Sequence, residues 1–312
     1  MPVKWALRSL AVIGLLSVVQ GAPVRAGAQD VTFKMDVKLV NVFVNVTDQN
    51  GAIVGGLTRE DFALFEDGRP QKIALFSRQS ELSLNIVLAV DTSDSVFKDR
   101  AIVRDAAKHF ARALLRPQDR MGVYEFATYV TQQTPFTNDL KQIDRGIDSL
   151  HGGDATALYD AIFLASQGLG KWQGRRVLVL ISDGSDTVEN TTYSQALEQA
   201  LRNEVMIYSI IDVPIEASAG RDTGGEHALI ALSEQTGGRS FYADQGGLSA
   251  AFAKVSEDLR TQYLLGYYPQ NQEPGVDFHR IRVTIPRAAA KAFNLSYRTG
   301  YYADAPAGEH KR

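Results

Sequence analysis

The sequence predicts an α/β fold, a doubly wound and mostly parallel sheet with helices on both faces, inserted in or flanked by a β-sandwich. Three observations carry this expectation. Leu84–Val90 (LNIVLAV) and Arg176–Ile181 (RVLVLI) are short, almost wholly apolar runs, as expected of strands buried on both faces of a parallel sheet. Between and after them, apolar residues recur at helical spacing and alternate with further short apolar runs. On either side of residues 82–260 the spacing shifts towards period two, the mark of strands with one buried face.

Taken in order, residues 1–28 stand apart. Lys4 and Arg8 give a basic start, Leu10–Val19 is an apolar stretch, and Ala26-Gly27-Ala28 supplies small residues at a cleavage position. That pattern predicts a cleaved signal peptide and an exported protein, periplasmic or secreted. The apolar stretch is too short to span a bilayer, which takes about 20 residues. No later segment reaches that length, so no membrane span is expected in the mature chain.

Residues 29–81 read as a β segment. Val37, Leu39, Val40, Val42, Val44 and Val46 alternate for the most part, Asn50-Gly51 signals a turn, and Thr58 can cap a helix start. Phe62–Glu66 and Gln71–Phe76 flank Asp67-Gly68 as a hairpin. After Leu84–Val90, Ile102, Val103, Ala106, Ala107, Phe110, Ala111 and Leu114 predict a helix. Next come a strand at Met121–Ala127 and helices at 140–150 and 157–169. The strand at Arg176–Ile181 is followed by a helix at 193–203, a strand at Val205–Ile211, a helix at 226–235, a strand at 239–242 and a helix at 248–260. Residues 261–303 return to β, with strands at 262–268, 280–285 and 295–302, and form one sandwich with residues 29–81. Residues 304–312 are a polar tail.

Composition narrows the function. The chain has 312 residues, 45% hydrophobic, enough for a sizeable core. Residues 1–28 carry three basic groups and no acidic one, so their removal leaves 30 basic groups against 36 acidic and moves the formal charge from −3 to −6. That balance argues against nucleic acid as a partner. The absence of cysteine excludes disulfides, thiol catalysis and thiolate metal sites.

The stretch that points to chemistry is Asp91-Thr92-Ser93-Asp94-Ser95, directly after an apolar strand. Loops at the carboxyl ends of parallel strands are where ligand sites form. One carboxylate and two hydroxyls are hard oxygen donors of low charge, suited to Mg2+ or Mn2+. The same residue types also cap strand-to-helix turns, so this stretch alone does not decide. Two further elements join it: Thr156 in Gly152-Gly153-Asp154-Ala155-Thr156-Ala157-Leu158-Tyr159-Asp160, and Asp183 at the end of the second apolar strand, in Ile181-Ser182-Asp183-Gly184.

The ordered set DxSxS, then Thr in GGxxTALYDAI, then Asp in LVLISDG resembles the metal-ion-dependent adhesion site (MIDAS) of von Willebrand factor A domains, over about residues 82–260. The resemblance implies that Asp91, Ser93, Ser95, Thr156 and Asp183 hold the metal, Mg2+ or Mn2+, with Asp160 behind Thr156 or on a solvated helix face. It also implies that a carboxylate from a protein ligand completes the coordination. Ser182 stands where many members have Thr, and Asp154-Ala155 departs from the commoner glycine run. The flanks, with GLTREDFALFEDGRPQKIALF, LRTQYLLGYYP and YRTGYYA, resemble the bacterial VWFA-related acidobacterial family.

The other polar residues read more plainly. Asp94 and Asp99 suit helix capping, Asp186 the surface, and the five histidines structural or exposed places. Tyr263, Tyr267, Tyr268, Tyr297, Tyr301 and Tyr302 hint at a sugar-binding surface but are also ordinary strand residues. The expected function is metal-dependent binding, with no catalytic residue assigned. The alternatives are a structural scaffold with an unused site, or a hydrolase or phosphoryl-transfer enzyme. The last would need a second Asp where Ser93 stands, and no G-x-S-x-G elbow is present.

Overall fold

The computed structural model describes residues 39–78, 81–94, 96, 100–212, 223–243, 247–270, 277–286 and 293–303. The signal peptide, Ser95, Asp99 and the polar tail of the sequence reading lie outside these residues.

Four strands precede the central region: β1 (Val40–Thr47), β2 (Ala63–Glu66), β3 (Arg69–Gln71) and β4 (Ile73–Arg78). The central region runs β5 (Leu84–Asp91), α1 (Arg100–Leu114), β6 (Arg120–Phe126), β7 (Val130–Thr137), α2 (Leu140–Asp148) and α3 (Leu158–Leu169). It continues with β8 (Arg175–Ser182), α4 (Tyr193–Arg202), β9 (Val205–Ile211), α5 (Thr223–Thr236), β10 (Ser240–Tyr242) and α6 (Gly247–Thr261). Four strands follow: β11 (Tyr263–Tyr267), β12 (Phe278–Thr284), β13 (Asn294–Ser296) and β14 (Gly300–Tyr302).

The central sheet has the order β10-β9-β8-β5-β6-β7 and is parallel except for β7. Every residue of β5 is buried, which is why its sequence shows no alternation. On one face, Val103, Phe110, Ile143, Phe252 and Val255 from α1, α2 and α6 pack with Ile86, Leu88 and Val90. On the other, Leu158, Ile162, Ala196, Leu229 and Leu232 from α3, α4 and α5 pack with Val87, Ala89 and Leu180. Successive strands lie outward on either side of β5 and β8, so the order reverses between them. Crevices open at such a reversal, beyond the carboxyl ends of the strands.

The flanking strands form two four-stranded sheets, β13-β1-β11-β4 and β14-β12-β2-β3. Each mixes strands from before and after the central region: Val42 lies opposite Leu265, and Ile281 opposite Glu66. Their inner faces share one apolar cluster with Val42, Val44, Leu64, Leu265, Tyr267 and Val283. A buried polar joint ties the flank to the central sheet. Asn45 Nδ2 and Gln262 Nε2 donate to the Tyr208 hydroxyl at 3.0 and 3.1 Å, and Arg175, at the start of β8, donates to Gln262.

The structure differs from the sequence reading in three places. β7 is absent from that reading because it is an edge strand rich in polar residues, including Gln132 and Gln133, and it contains Pro135, whose missing amide is tolerated at an edge. The stretch read as one strand from Gln71 is split: β3 pairs with β2, while β4 crosses to pair with β11 in the other sheet. Residues 295–302 likewise form two strands, one in each flanking sheet. No helix among the described residues is long and apolar enough to cross a membrane.

Candidate metal centre

Parallel pairing of β5 with β8 sets Val90 opposite Ile181, so the two strands end at the same level. Asp91 closes one and Ser182-Asp183 continues from the other. The Asp91 side chain is wholly buried. Its Oδ1 accepts from the Ser93 amide at 2.9 Å, and its Oδ2 accepts from the Ser182 hydroxyl at 2.7 Å. Ser182 Oγ in turn accepts from the Gly184 amide at 3.1 Å. Ser182, noted in the sequence only as a replacement for Thr, is therefore the bridge between the two strand ends.

Main-chain bonds lock three loops together here. Ser93 and Gly153 form an isolated parallel bridge, and the Gly153 amide donates to Thr92 O at 3.0 Å. A Cβ on Gly153 would lie 2.8 Å from the Ala127 methyl carbon, so glycine permits this approach. The Ala157 amide donates to Ala127 O at 2.8 Å. Thr156, buried, donates its amide to the Thr187 hydroxyl at 2.9 Å and accepts from the Thr187 amide at 2.8 Å. Asp183 is half-buried, and its Oδ1 accepts from the Ser185 amide at 3.1 Å. Gly184 then packs on the start of α5, where a Cβ would fall 2.3 Å from the Gly225 carbonyl carbon, and it has a φ of +95°. Both features hold that position to glycine.

Of the sequence candidates, the loops bearing Asp91, Ser93, Thr156 and Asp183 thus converge, while Ser95 lies outside the described residues. Asp160 sits on the first turn of α3 and accepts from Asn190 Nδ2 at 3.0 Å and from the Thr191 hydroxyl. Both partners belong to the loop after β8, not to the Thr156 loop. Asp94 is exposed.

Two site residues escaped the sequence reading. Asp186, expected at the surface, is half-buried and accepts from the Tyr159 amide at 3.2 Å. It caps α3 from another loop, since Ala157 offers no side-chain cap. Glu125, buried near the end of β6, accepts from the His151 and Gly152 amides at 2.6 and 3.1 Å and orders the glycine loop. Burial pushes its pKa up, but these bonds and those from Gln133 and Thr92 outweigh it and hold the carboxyl below the ordinary range. An acidic residue inside an otherwise apolar strand was the signal available in the sequence.

Electrostatics separate Asp91 from such residues. Burial pushes its pKa up to about 6 against the hydrogen bonds of Ser93 and Ser182, and the charge of Asp183 pushes the same way. A buried carboxylate facing a second one, with hydroxyls around it, is a hard-oxygen set that a divalent cation fits and would neutralise. Among the described residues, a trio with clustered acid and imidazole atoms lies elsewhere. Glu66, Asp67 and His279 have ligand atoms within 4.8 Å of one another in the flank. Tyr267 and Tyr301 hydroxyls already bind Glu66 at 2.6 and 2.9 Å, and Asp67 binds His279 at 2.7 Å.

Residues 86–185, which span β5, β6, the glycine loop and β8, match the family model of the von Willebrand factor type A domain. The chain carries a von Willebrand factor A domain. Solved structures resemble it at low identity. One is an aerotolerance-related membrane protein from Bacteroides fragilis, with 18% identity, TM-score 0.46, and 57% of this chain and 98% of that chain covered. Another is the vWF domain of the type V pili tip protein Mfa5 from Porphyromonas gingivalis, with 12% identity, TM-score 0.46, and coverages of 56% and 94%. A third is proximal thread matrix protein 1 from the mussel byssus, with a zinc-occupied MIDAS motif, 16% identity, TM-score 0.49, and coverages of 61% and 48%. A search of curated proteins finds no match.

Proposed function

We propose that this chain is an exported, metal-dependent binding protein whose A domain recruits a protein ligand through that ligand's carboxylate. In this reading Asp91, Ser93, Ser95, Thr156 and Asp183 hold Mg2+ (or Mn2+), and Asp160 keeps the loop after Asp183 in place. A bound cation would supply a positive centre for an incoming carboxylate. The residues themselves do the rest. Ser182 and the Ser93 amide orient the Asp91 carboxylate, while Glu125 and Asp186 fix the glycine loop and the start of α3. Two carboxylates at most supply charge, and the serine and threonine hydroxyls supply none, so the centre keeps its appetite for a further anionic oxygen.

The observation that supports this best is the buried Asp91, whose burial and the nearby charge of Asp183 both work against its ionised form. Such an arrangement is unfavourable for folding alone and is expected of a site built for a positive charge. The same reading takes residues 1–28 as a cleaved leader and residues 82–260 as the inserted A domain. Residues 29–81 and 261–303 form the supporting sandwich, within the VWFA-related acidobacterial family, and residues 304–312 are a tail.

Calorimetry with MgCl2 on the purified chain tests the metal, and capture of envelope proteins with and without chelator tests the ligand. Asp183→Ala, at a loop position that opens no core cavity, is expected to abolish Mg2+ binding while the thermal melt stays cooperative. Wild-type affinity in both Asp183→Ala and Asp91→Ala would reject this ligand set.

A further inference from the structure

Between helix α4 and strands β12 and β14 lies a cleft whose lining shares no residue with the metal centre. Its cavity volume is about 420 Å3, towards the lower end of the roughly 300–1,000 Å3 usual for small-ligand sites. One wall is a single face of α4, where Ser194, Leu197, Glu198 and Leu201 recur at helical spacing. The other wall is Phe278, Arg280 and Tyr302, with Gln235 and Thr299 completing the lining.

The aromatic side of this cleft is held in place. The rings of Phe278 and Tyr302 meet edge to face, with centroids 5.0 Å apart and planes at 62°. The Arg202 guanidinium lies over the Tyr302 ring at 4.0 Å from its centroid, and Glu198 accepts from Arg202 Nε at 2.8 Å. Gln235 is fixed by a 2.8 Å bond from its Nε2 to the Tyr193 hydroxyl. A ligand entering here would find side chains already positioned, and little ordering would remain to oppose binding.

The mixture of polar groups selects the ligand class. Glu198 only accepts hydrogen bonds and Arg280 only donates them, while Ser194 and Thr299 do both. An anion would meet Glu198, and a cation would meet Arg280. A neutral molecule with several hydroxyls satisfies both, because each hydroxyl donates and accepts. The rings and the two leucines then call for an apolar C–H face on the same molecule. A pyranose combines these features.

We propose that this cleft binds a neutral oligosaccharide, independently of the metal centre. The test is a panel of immobilised neutral and acidic oligosaccharides probed with the purified chain in EDTA. Calorimetric titration with cellobiose, maltotriose and N,N′,N″-triacetylchitotriose follows. At least one neutral sugar is expected to bind. Its Kd should rise about tenfold in Arg280→Ala, the loss of one charge-assisted hydrogen bond, and further in Ser194→Trp, which fills the cleft from an exposed helix position. Asp183→Ala should leave it unchanged, which separates this site from the metal centre. Glu198→Gln, nearly isosteric, checks the result should either variant melt early. Binding of acidic sugars alone, binding of none, or a Kd unmoved by all three cleft variants would overturn the proposal.

Discussion

Two carboxylates, one in each region of the molecule, titrate in opposite directions. Asp91 at the end of β5 is pushed up to about 6, first by burial. Asp67, in the turn between β2 and β3, is also pushed up by burial, but the His279 ring and the Arg280 amide outweigh this and hold it below the usual range. The flank surrounds its acid with donors and so uses it for structure. The central sheet buries its acid against another acid, a choice that weakens the fold and makes sense where a cation is to be held.

The two regions differ in packing as well. The central sheet has an apolar core on each face, supplied by three helices a side. The flank has one core between two small sheets, and each of those sheets joins strands from before residue 79 to strands from after residue 262. β11 lies between β1 and β4. The largest expected effect follows from this. Deleting residues 29–80 removes both neighbours of β11 and one of the two neighbours of β12, β2. The amides of residues 263–267 and 278–284 are then expected to lose hydrogen-exchange protection while residues 84–211 keep theirs. Full protection of the C-terminal strands after the deletion would show that the two flanks do not depend on each other.

Core truncations sharpen the same contrast on a smaller scale. Leu180 and Leu265 are both fully buried, and Leu→Ala at either is expected to cost about 2–5 kcal/mol. The readout differs by region. Leu265→Ala should raise exchange in the flank and leave Mg2+ affinity near wild type, whereas Leu180→Ala, two residues before Ser182, should weaken both. Equal loss of metal binding in the two variants would mean that the regions unfold as one.

How much of this was legible in the sequence follows from the range of the interactions. β5 and β8 announce themselves because burial on both faces leaves an unbroken apolar run, and the DxSxS stretch, Thr156 and Asp183 fall at their ends. The helices show in their spacing. What stayed hidden depends on partners far along the chain. The crossing of β4 to β11 pairs Leu75 with Gly266, and no local pattern records that. β7 was missed because an edge strand needs no apolar face. Asp186 looked like a surface acid because the helix it caps begins before it in sequence, and Glu125 was overlooked although it interrupts an apolar strand.

Asp91→Asn probes the central acid without changing its shape. The folded protein holds the Asp91 proton more tightly than the unfolded chain, whose value is near 3.8. In the metal-free protein the penalty is therefore absent below about pH 4, grows as pH rises, and is complete above about pH 6. Asn mimics the protonated form, so at pH 7.5 it should stabilise the metal-free chain by on the order of 2–3 kcal/mol. At pH 4 the gain should vanish, and Mg2+ binding should be lost throughout. Denaturant melts in EDTA at the two pH values measure it. A variant less stable than wild type at pH 7.5 would remove the case that Asp91 is a strained, site-directed acid.

The smallest effect is expected at Asp67, and its sign is the reverse. Asp67 has a φ of +48°, a left-handed conformation that Asn adopts as readily as Asp, so Asp67→Asn leaves the turn intact. Its amide oxygen can still accept from the Arg280 amide, now 2.8 Å from Oδ1. What goes is the negative charge beside the His279 ring, bonded at 2.7 Å. Because the folded value lies below the unfolded one, the charge contributes stability above about pH 4, and that contribution disappears as pH falls through the folded value. The Asp67 side chain is 42% exposed, so solvent screening limits the loss at pH 7 to about 0.5–1 kcal/mol. Urea midpoints at pH 7 and pH 3 should show wild type ahead at the first and level with the variant at the second. A variant equal to wild type at pH 7 would mean that the flank, like the central sheet, holds an acid that does nothing for its stability.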